Sequence, residues 1–109
     1  QINTLGGNIN NPEFENESCY PHRSSPYLSE LQYYWDEKKD PTALLKSFDE
    51  IQNILYENGI RKQYRNYPSL GFKDWERAYF GDSYERLQEI KKAYDPENLF
   101  DHAQSVNPS

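Results

Sequence analysis

Residues 79–100, YFGDSYERLQEIKKAYDPENLF, combine a glycine stop, a capping segment and a helical apolar pattern. Gly81 ends a short helix that we predict over residues 72–80, because glycine readily adopts the left-handed backbone conformation found at helix ends. Asp82 or Ser83 then caps a second helix. This helix places one apolar or aromatic side chain on the same face at each turn: Tyr84, Leu87, Ile90 and Tyr94.

This second helix ends at Asp95-Pro96, and residues 96–100 predict one further helical turn. Another helix is indicated upstream, where Asp40-Pro41 combines an N-cap side chain with a proline suited to the first helical position. Apolar residues then recur at helical spacing until Asn58-Gly59 supplies a stop: Leu44, Phe48, Ile51 and Leu55.

The remaining segments predict strands and a loop. Residues 1–7 are typical of a strand that enters a tight glycine turn, and the polar residues 8–25 predict a surface loop. Residues 26–35 form an aromatic, β-favouring run, and residues 60–67 predict a shorter strand that ends before Pro68. The expected fold class is therefore α+β, with antiparallel sheet strands covered by helices.

The composition restricts the possible partners. A chain of 109 residues fits one domain, and its formal net charge of −6 lacks the basic footprint needed for DNA, RNA or anionic lipid. No stretch approaches the roughly 18 apolar residues of a membrane span. Cys19 is the single cysteine, and its spacing from His22 and His102 matches no zinc module, so we expect no metal site.

Amides and phenols alternate with large aromatic residues around Gln32 and in Tyr64-Arg65-Asn66-Tyr67. This pattern is compatible with a polar floor in an aromatic pocket. Composition alone favours ordinary sheet packing, because tyrosine often serves as an amphipathic core residue. The residues alone leave both interpretations open.

Taken in order, residues 79–91, 94–100 and 104–106 closely resemble the C-terminal signature of the berberine bridge enzyme-like oxidases. Upstream elements agree in the same order: Gly6-Gly7, Tyr20-Pro21-His22-Arg23, Gln32-Tyr33 with Trp35, and Tyr64-Arg65-Asn66-Tyr67 before Trp75. The resemblance covers essentially the whole chain. It implies that residues 1–109 are a partial substrate domain, that the signature segment spans about residues 64–109, and that the FAD-binding domain is absent from this chain.

The resemblance further implies a two-domain flavoprotein of the vanillyl-alcohol oxidase type, in which the substrate domain follows an FAD-binding domain. In such enzymes a substrate C–H bond is oxidised by hydride transfer to the flavin while a side chain takes a proton, and oxygen commonly reoxidises the flavin. We therefore expect an FAD-dependent oxidase of a carbohydrate, an alcohol or a related metabolite. Its expected partners are the missing FAD-binding domain and the small-molecule substrate, so the chain alone should be inactive.

Gln32 matches the strand position that faces the substrate side of the flavin in this family, where other members have a glutamate base. An amide cannot act as a general base at neutral pH, so the resemblance assigns proton removal to Tyr64 first and Tyr67 second. A phenol has an ordinary pKa of about 10, so this role requires a charged or hydrogen-bonding neighbour. Glu30 should share the sheet face of Gln32, as a substrate contact or a partner that tunes the phenol.

The resemblance also places two asparagines on the cofactor side. Asn66 would orient its segment beside the flavin ring, and Asn98 lies in the terminal signature that packs toward the flavin domain. A structural role is the expectation for Asn98 and for Gln104 in the same signature. His22 and Arg23 belong to an orienting element and are not expected to be catalytic.

Two other interpretations stay open. The chain could belong to a catalytically silent structural or binding protein that keeps the scaffold, because fold does not dictate function. It could also be a fragment whose exposed sheet face associates with itself. The enzyme interpretation depends on one arrangement, in which Gln32 and residues 64–67 lie side by side on one wall of a shared cavity.

Overall fold

The computed structural model describes residues 1–109. The chain divides into two compact units. The first unit contains Gln1–Thr4 and Tyr27–Arg61, and the second contains Leu5–Pro26 and Lys62–Ser109.

The first unit contains a small antiparallel sheet. Strand β1, Ile2–Thr4, pairs with strand β2, Tyr27–Ser29, and Asn3 lies opposite Leu28. The backbone N–H of Glu30 still donates to the carbonyl of Gln1, at 2.9 Å. Two strands together with the helices confirm the α+β class.

Helix α1, Thr42–Glu57, completes the first unit and confirms the helix predicted there. Asp40 Oδ1 accepts hydrogen bonds from the backbone N–H of Thr42, at 3.0 Å, and from its hydroxyl, at 2.6 Å. The aspartate therefore satisfies a donor of the first turn, although Pro41 occupies the N-cap position itself. The helix ends where Asn58 and Gly59 follow, and Gly59 has a φ of 86°.

The regular elements of the second unit are all helical. Two short 3₁₀ segments, Gly7–Asn10 and Pro12–Phe14, lie in the region predicted as a polar loop. Helix α2, Trp75–Phe80, passes through a 3₁₀ turn at Gly81–Ser83 into helix α3, Tyr84–Tyr94. Both predicted helices are present, although the first begins at Trp75 and neither Asp82 nor Ser83 caps the second through its side chain. The buried apolar residues of the unit are Phe72, Ala78 and Tyr79.

Gly81 is required at the corner between α2 and α3 for two reasons. Its φ of 56° lies in the left-handed region, which a side chain strains. A Cβ atom at this position would also come within 3.0 Å of the Pro21 side chain. The corner therefore packs tightly against the Tyr20-Pro21-His22-Arg23 element.

Two predicted strands are wrong in length or in kind. The strand expected over residues 26–35 stops at Ser29, because β1 supplies only three paired residues, and Gln32 lies beyond the ladder. Residues 60–67 form no strand. Their backbone groups bond elsewhere: Gln63 N donates to Ala78 O at 3.0 Å, and Tyr67 N donates to Tyr64 O at 2.9 Å in a turn.

The helical turn expected at residues 96–100 is also wrong. Asp95 accepts the backbone N–H of Leu99 on Oδ1, at 2.8 Å, and that of Phe100 on Oδ2, at 3.0 Å. A side chain thus takes the donors that a helical turn would use, and Asn98 adopts a left-handed φ of 52°.

No helix in the structure combines the length and apolar character that crossing a bilayer requires.

Candidate functional site

In the first unit, three polar side chains form a hydrogen-bonded row at alternate positions. Gln32 Nε2 donates to Glu30 Oε2 at 2.8 Å, and the Tyr34 hydroxyl donates to Gln32 Oε1 at 2.8 Å. Alternate side chains of an extended segment point the same way, so the row forms even though the ladder has ended. The structure thus brings the predicted residues Glu30 and Gln32 together and adds Tyr34, which the sequence had not singled out.

In the second unit, Tyr64 and Tyr67 lie on a tight turn. Their rings meet edge to face with centroids 5.3 Å apart. Asn66 Nδ2 donates to the Tyr64 hydroxyl oxygen at 2.9 Å. Tyr64 is half-buried, whereas Tyr67 and Asn66 are exposed. The turn therefore presents two phenols and supplies one of them with a hydrogen-bond donor.

Tyr20 and His22 lie beside this turn. The Tyr20 ring contacts the Tyr64 ring edge to face, with centroids 6.3 Å apart, and the His22 ring at 5.1 Å. Burial raises the pKa of Tyr20, the nearby Tyr64 raises it further, and Arg23 opposes both effects. Tyr20 therefore holds its proton more firmly than an exposed tyrosine does.

His22 is buried, and its environment favours a neutral imidazole. Burial lowers the pKa of His22 and Lys62 lowers it further, against the opposing hydrogen bond to the Gln63 backbone. Its Nε2 atom is buried without a hydrogen-bond partner. Because Gln63 immediately precedes Tyr64, the bond to its backbone anchors the start of the phenol-bearing turn.

Near the end of the chain, Asp95 organises the segment that carries Asn98. The side chains of Asp95 and Lys91 form a largely buried ion pair, and Lys91 Nζ also donates to Phe100 O at 2.7 Å. The hydrogen bond from Lys91 holds the pKa of Asp95 below its ordinary value, helped by the backbone N–H groups of Phe100 and Leu99. Asn98 Oδ1 is buried with no hydrogen-bond partner.

Comparison with known proteins bears on these residues. The family model described as "Berberine and berberine like" matches residues 63–107. The monolignol oxidoreductase AtBBE-like 13 of Arabidopsis thaliana is 31% identical over 107 residues, which cover 84% of this chain and 20% of that protein. Residues 63–107 therefore belong to the berberine bridge enzyme-like family.

Two bacterial relatives carry FAD-linked oxidoreductase names. The uncharacterized FAD-linked oxidoreductase YgaK of Bacillus subtilis (strain 168) is 37% identical over 68 residues, 55% of this chain and 15% of YgaK. The uncharacterized FAD-linked oxidoreductase YvdP of the same organism is 28% identical over 95 residues, 87% of this chain and 21% of YvdP. The berberine bridge enzyme-like chain thus spans about a fifth or less of these relatives' lengths. No solved structure matches it.

The family match divides the predicted site residues. It includes Tyr64, Asn66, Tyr67 and Asn98, whereas Glu30 and Gln32 precede it. The same division follows the two units, because the Gln32 row lies in the first unit and the 64–67 turn in the second. The shared cavity wall expected for this berberine bridge enzyme-like chain stays a prediction.

Arg23 holds the 3₁₀ region of the second unit together. Its guanidinium donates to three backbone carbonyls, those of Asn8 at 3.2 Å, Ile9 at 3.1 Å and Phe14 at 3.2 Å, and to the Ser18 hydroxyl at 2.8 Å. An arginine guanidinium has five N–H donors in one plane, so it can bond several acceptors at once. These contacts give the residue an orienting role in the structure of the berberine bridge enzyme-like chain.

Sequence reasoning missed Tyr34, Tyr20 and Asp95. The position of Tyr34, two residues after Gln32, was a usable signal, because alternate residues share a face in extended chain. Tyr20 offered no comparable signal, since its contact with Tyr64 spans 44 positions that only the fold brings together. Asp95 was interpreted as a helix terminator, and its side-chain bonds to residues beyond the helix extend that role.

Proposed function

We propose that the polypeptide carrying this chain is an FAD-dependent oxidase and that residues 1–109 supply part of its substrate side. The observation that carries the proposal is the 2.9 Å hydrogen bond from Asn66 to the Tyr64 hydroxyl oxygen. A donor on the phenol oxygen stabilises negative charge there, which is what a tyrosine acting as a base requires. The names of the FAD-linked relatives support the redox assignment.

The residues of the chain fit a flavin neighbour. Asn98 Oδ1 is a buried acceptor without a protein partner, and Asn66 and Tyr67 are exposed polar groups beside Tyr64. Buried polar atoms normally have partners, so the unpartnered Asn98 oxygen is an unusual feature of this segment. Bound FAD would supply the hydride acceptor for the oxidation.

The residues of this chain would carry out proton transfer and substrate contact. As a substrate alcohol is oxidised, Tyr64 in its ionised form takes the hydroxyl proton and becomes a neutral phenol, and Asn66 stabilises the ionised form before transfer. Tyr67 is the second choice for this base. Gln32 contacts the substrate without exchanging protons, because an amide is not a base at neutral pH. Glu30 orients the Gln32 amide by accepting from it.

The substrate class we propose is a carbohydrate, an alcohol or a related metabolite, with oxygen as the electron acceptor. The name of the Arabidopsis relative, a monolignol oxidoreductase, supports an alcohol. Oxygen as acceptor would give hydrogen peroxide. The chain alone is expected to be inactive, because the hydride acceptor lies outside it.

The test uses the full-length polypeptide loaded with FAD and mixed anaerobically with coniferyl alcohol or cellobiose. We expect the flavin absorbance to bleach with at least one of them and hydrogen peroxide to form when air is admitted. Tyr64→Phe should slow bleaching much more than Tyr67→Phe. A full-length protein that purifies without bound flavin would contradict the proposed function. Equal bleaching rates in the two variants would contradict the choice of Tyr64 as the base.

A further inference from the structure

The Gln32 side chain can present either an N–H donor or a carbonyl acceptor to a ligand. The neighbours that fix the orientation of the amide therefore decide which of the two a ligand meets. A glutamine side chain carries two N–H donors and a carbonyl oxygen with two acceptor sites. Here one N–H donates to Glu30 and one acceptor site receives the Tyr34 hydroxyl, each at 2.8 Å. The row therefore engages both ends of the amide at once.

The chemistry of the two neighbours gives the amide one preferred orientation. An ionised glutamate only accepts hydrogen bonds, so the NH₂ group must face Glu30. The carbonyl oxygen then faces Tyr34, whose hydroxyl can donate to it. The reverse orientation would place the amide oxygen of Gln32 against the carboxylate oxygen of Glu30, and two acceptors repel one another.

We propose that Tyr34 is a positioning residue, which holds the Gln32 amide so that its second N–H is presented to the ligand. This inference rests on the proposed role of Gln32 as a substrate contact. The ligand group it implies is a hydrogen-bond acceptor, such as a hydroxyl or carbonyl oxygen. Tyr34 acts through Gln32 and does not itself need to contact the ligand.

Tyr34 is 82% exposed and lies on an open part of the surface. Its side chain borders a depression of about 450 Å³ in the first unit. The wall combines aromatic, charged and hydroxyl groups, among them Trp35, Asp36, Lys39, Asp40 and Ser47. The Tyr34 ring thus adjoins a concave surface while its hydroxyl reaches Gln32.

The chain offers a matched control at the neighbouring position. Tyr33 carries the same phenol, but its ring packs edge to face on Phe48 with centroids 4.9 Å apart, and it takes no part in the row. Tyr33→Phe therefore removes one hydroxyl next to the row without removing a bond to Gln32. Tyr34→Phe removes the bond and keeps the ring that borders the depression.

The experiment has two measurements on the full-length, FAD-loaded polypeptide. In ¹⁵N NMR spectra, with the Gln32 side-chain signals assigned by their loss in Gln32→Leu, Tyr34→Phe should shift these signals and speed their exchange with water. Tyr33→Phe should leave them in place. With coniferyl alcohol and cellobiose as probes, Tyr34→Phe should raise KM about threefold to tenfold, the effect of one neutral hydrogen bond, with kcat little changed.

The outcomes separate this inference from the proposed function. Gln32 signals that respond equally to Tyr33→Phe and Tyr34→Phe would overturn the positioning role, as would shifted signals with an unchanged KM. If the wild-type protein oxidises neither probe, the proposed substrate contact fails. The amide signals then still decide whether Tyr34 holds Gln32.

Discussion

The hydroxyl of Tyr79 donates a hydrogen bond to the side-chain oxygen of Gln104, at 3.0 Å, across 25 positions of sequence. Ser69 closes this contact into a ring, because its backbone N–H donates to the Tyr79 oxygen at 3.0 Å and its carbonyl accepts from Gln104 Nε2 at 2.8 Å. Tyr79 is 1% exposed and Gln104 is 5% exposed. The terminal segment is thus fastened to α2 by a buried polar network.

Tyr79→Phe should destabilise the second unit by about 1–3 kcal/mol, because it removes the partner of the partly buried Ser69 N–H and of the buried Gln104 amide oxygen. The free energy of unfolding from chemical denaturation measures this change. Tyr94→Phe is the control, since Tyr94 is 86% exposed and should lose almost nothing. Equal stability of the two variants would show that the buried ring of hydrogen bonds contributes little.

Asp95→Asn should lower the thermal unfolding midpoint by several degrees at neutral pH, because Lys91 then keeps a largely buried charge without a counter-charge. The pKa of Asp95 is held low by Lys91, so the stabilisation is present above the ordinary aspartate pKa and is lost as the pH falls through the lowered value. Wild type and variant should therefore converge in strong acid. Glu97→Gln, an exposed neighbour, should show neither effect; a constant difference at every pH would argue against the ion pair.

His22 should make the stability of the second unit depend on pH in mild acid. Burial lowers its pKa, so the unfolded chain binds a proton before the folded chain does. Stability is then complete above the unfolded histidine pKa of about 6.5 and is lost as the pH falls through the lower folded value. The free energy of unfolding, measured by denaturation at several pH values between about 7 and 5, should depend less on pH in His22→Gln than in the wild type. In His102→Gln this dependence should be unchanged. The reverse pattern would assign the dependence to His102.

The sequence predicted the helices better than the strands, and the reason is physical. A helix such as α1 bonds within itself, so the Asp40-Pro41 start and the Asn58-Gly59 stop are enough to define it. A strand needs a partner that sequence does not reveal. Residues 60–67 have strand-like composition, but the backbone of Gln63 bonds to α2 instead.

In the candidate site, too, the sequence predicted local relations but not contacts between distant segments. Local relations were predictable, since Glu30 and Gln32 lie two residues apart in extended chain and do contact one another. Contacts between distant segments were not, as with Tyr20 against Tyr64. Such contacts depend on how α2 and α3 pack, which no local pattern specifies.

Asn66→Ala is expected to lower kcat/KM of the full-length, FAD-loaded polypeptide about tenfold to a hundredfold, because it removes the donor that contacts the Tyr64 oxygen at 2.9 Å. A hydrogen bond to a group that carries charge when it acts as the base is stronger than one between neutral groups, which sets this size. Asn53→Ala, an exposed asparagine on α1, is the control and should leave the rate unchanged. In a Tyr64→Phe background the Asn66 substitution should add almost nothing, because the two residues would act through one oxygen. Additive losses in the double variant would mean that Asn66 acts elsewhere, and Tyr67 would then be the better candidate for the base.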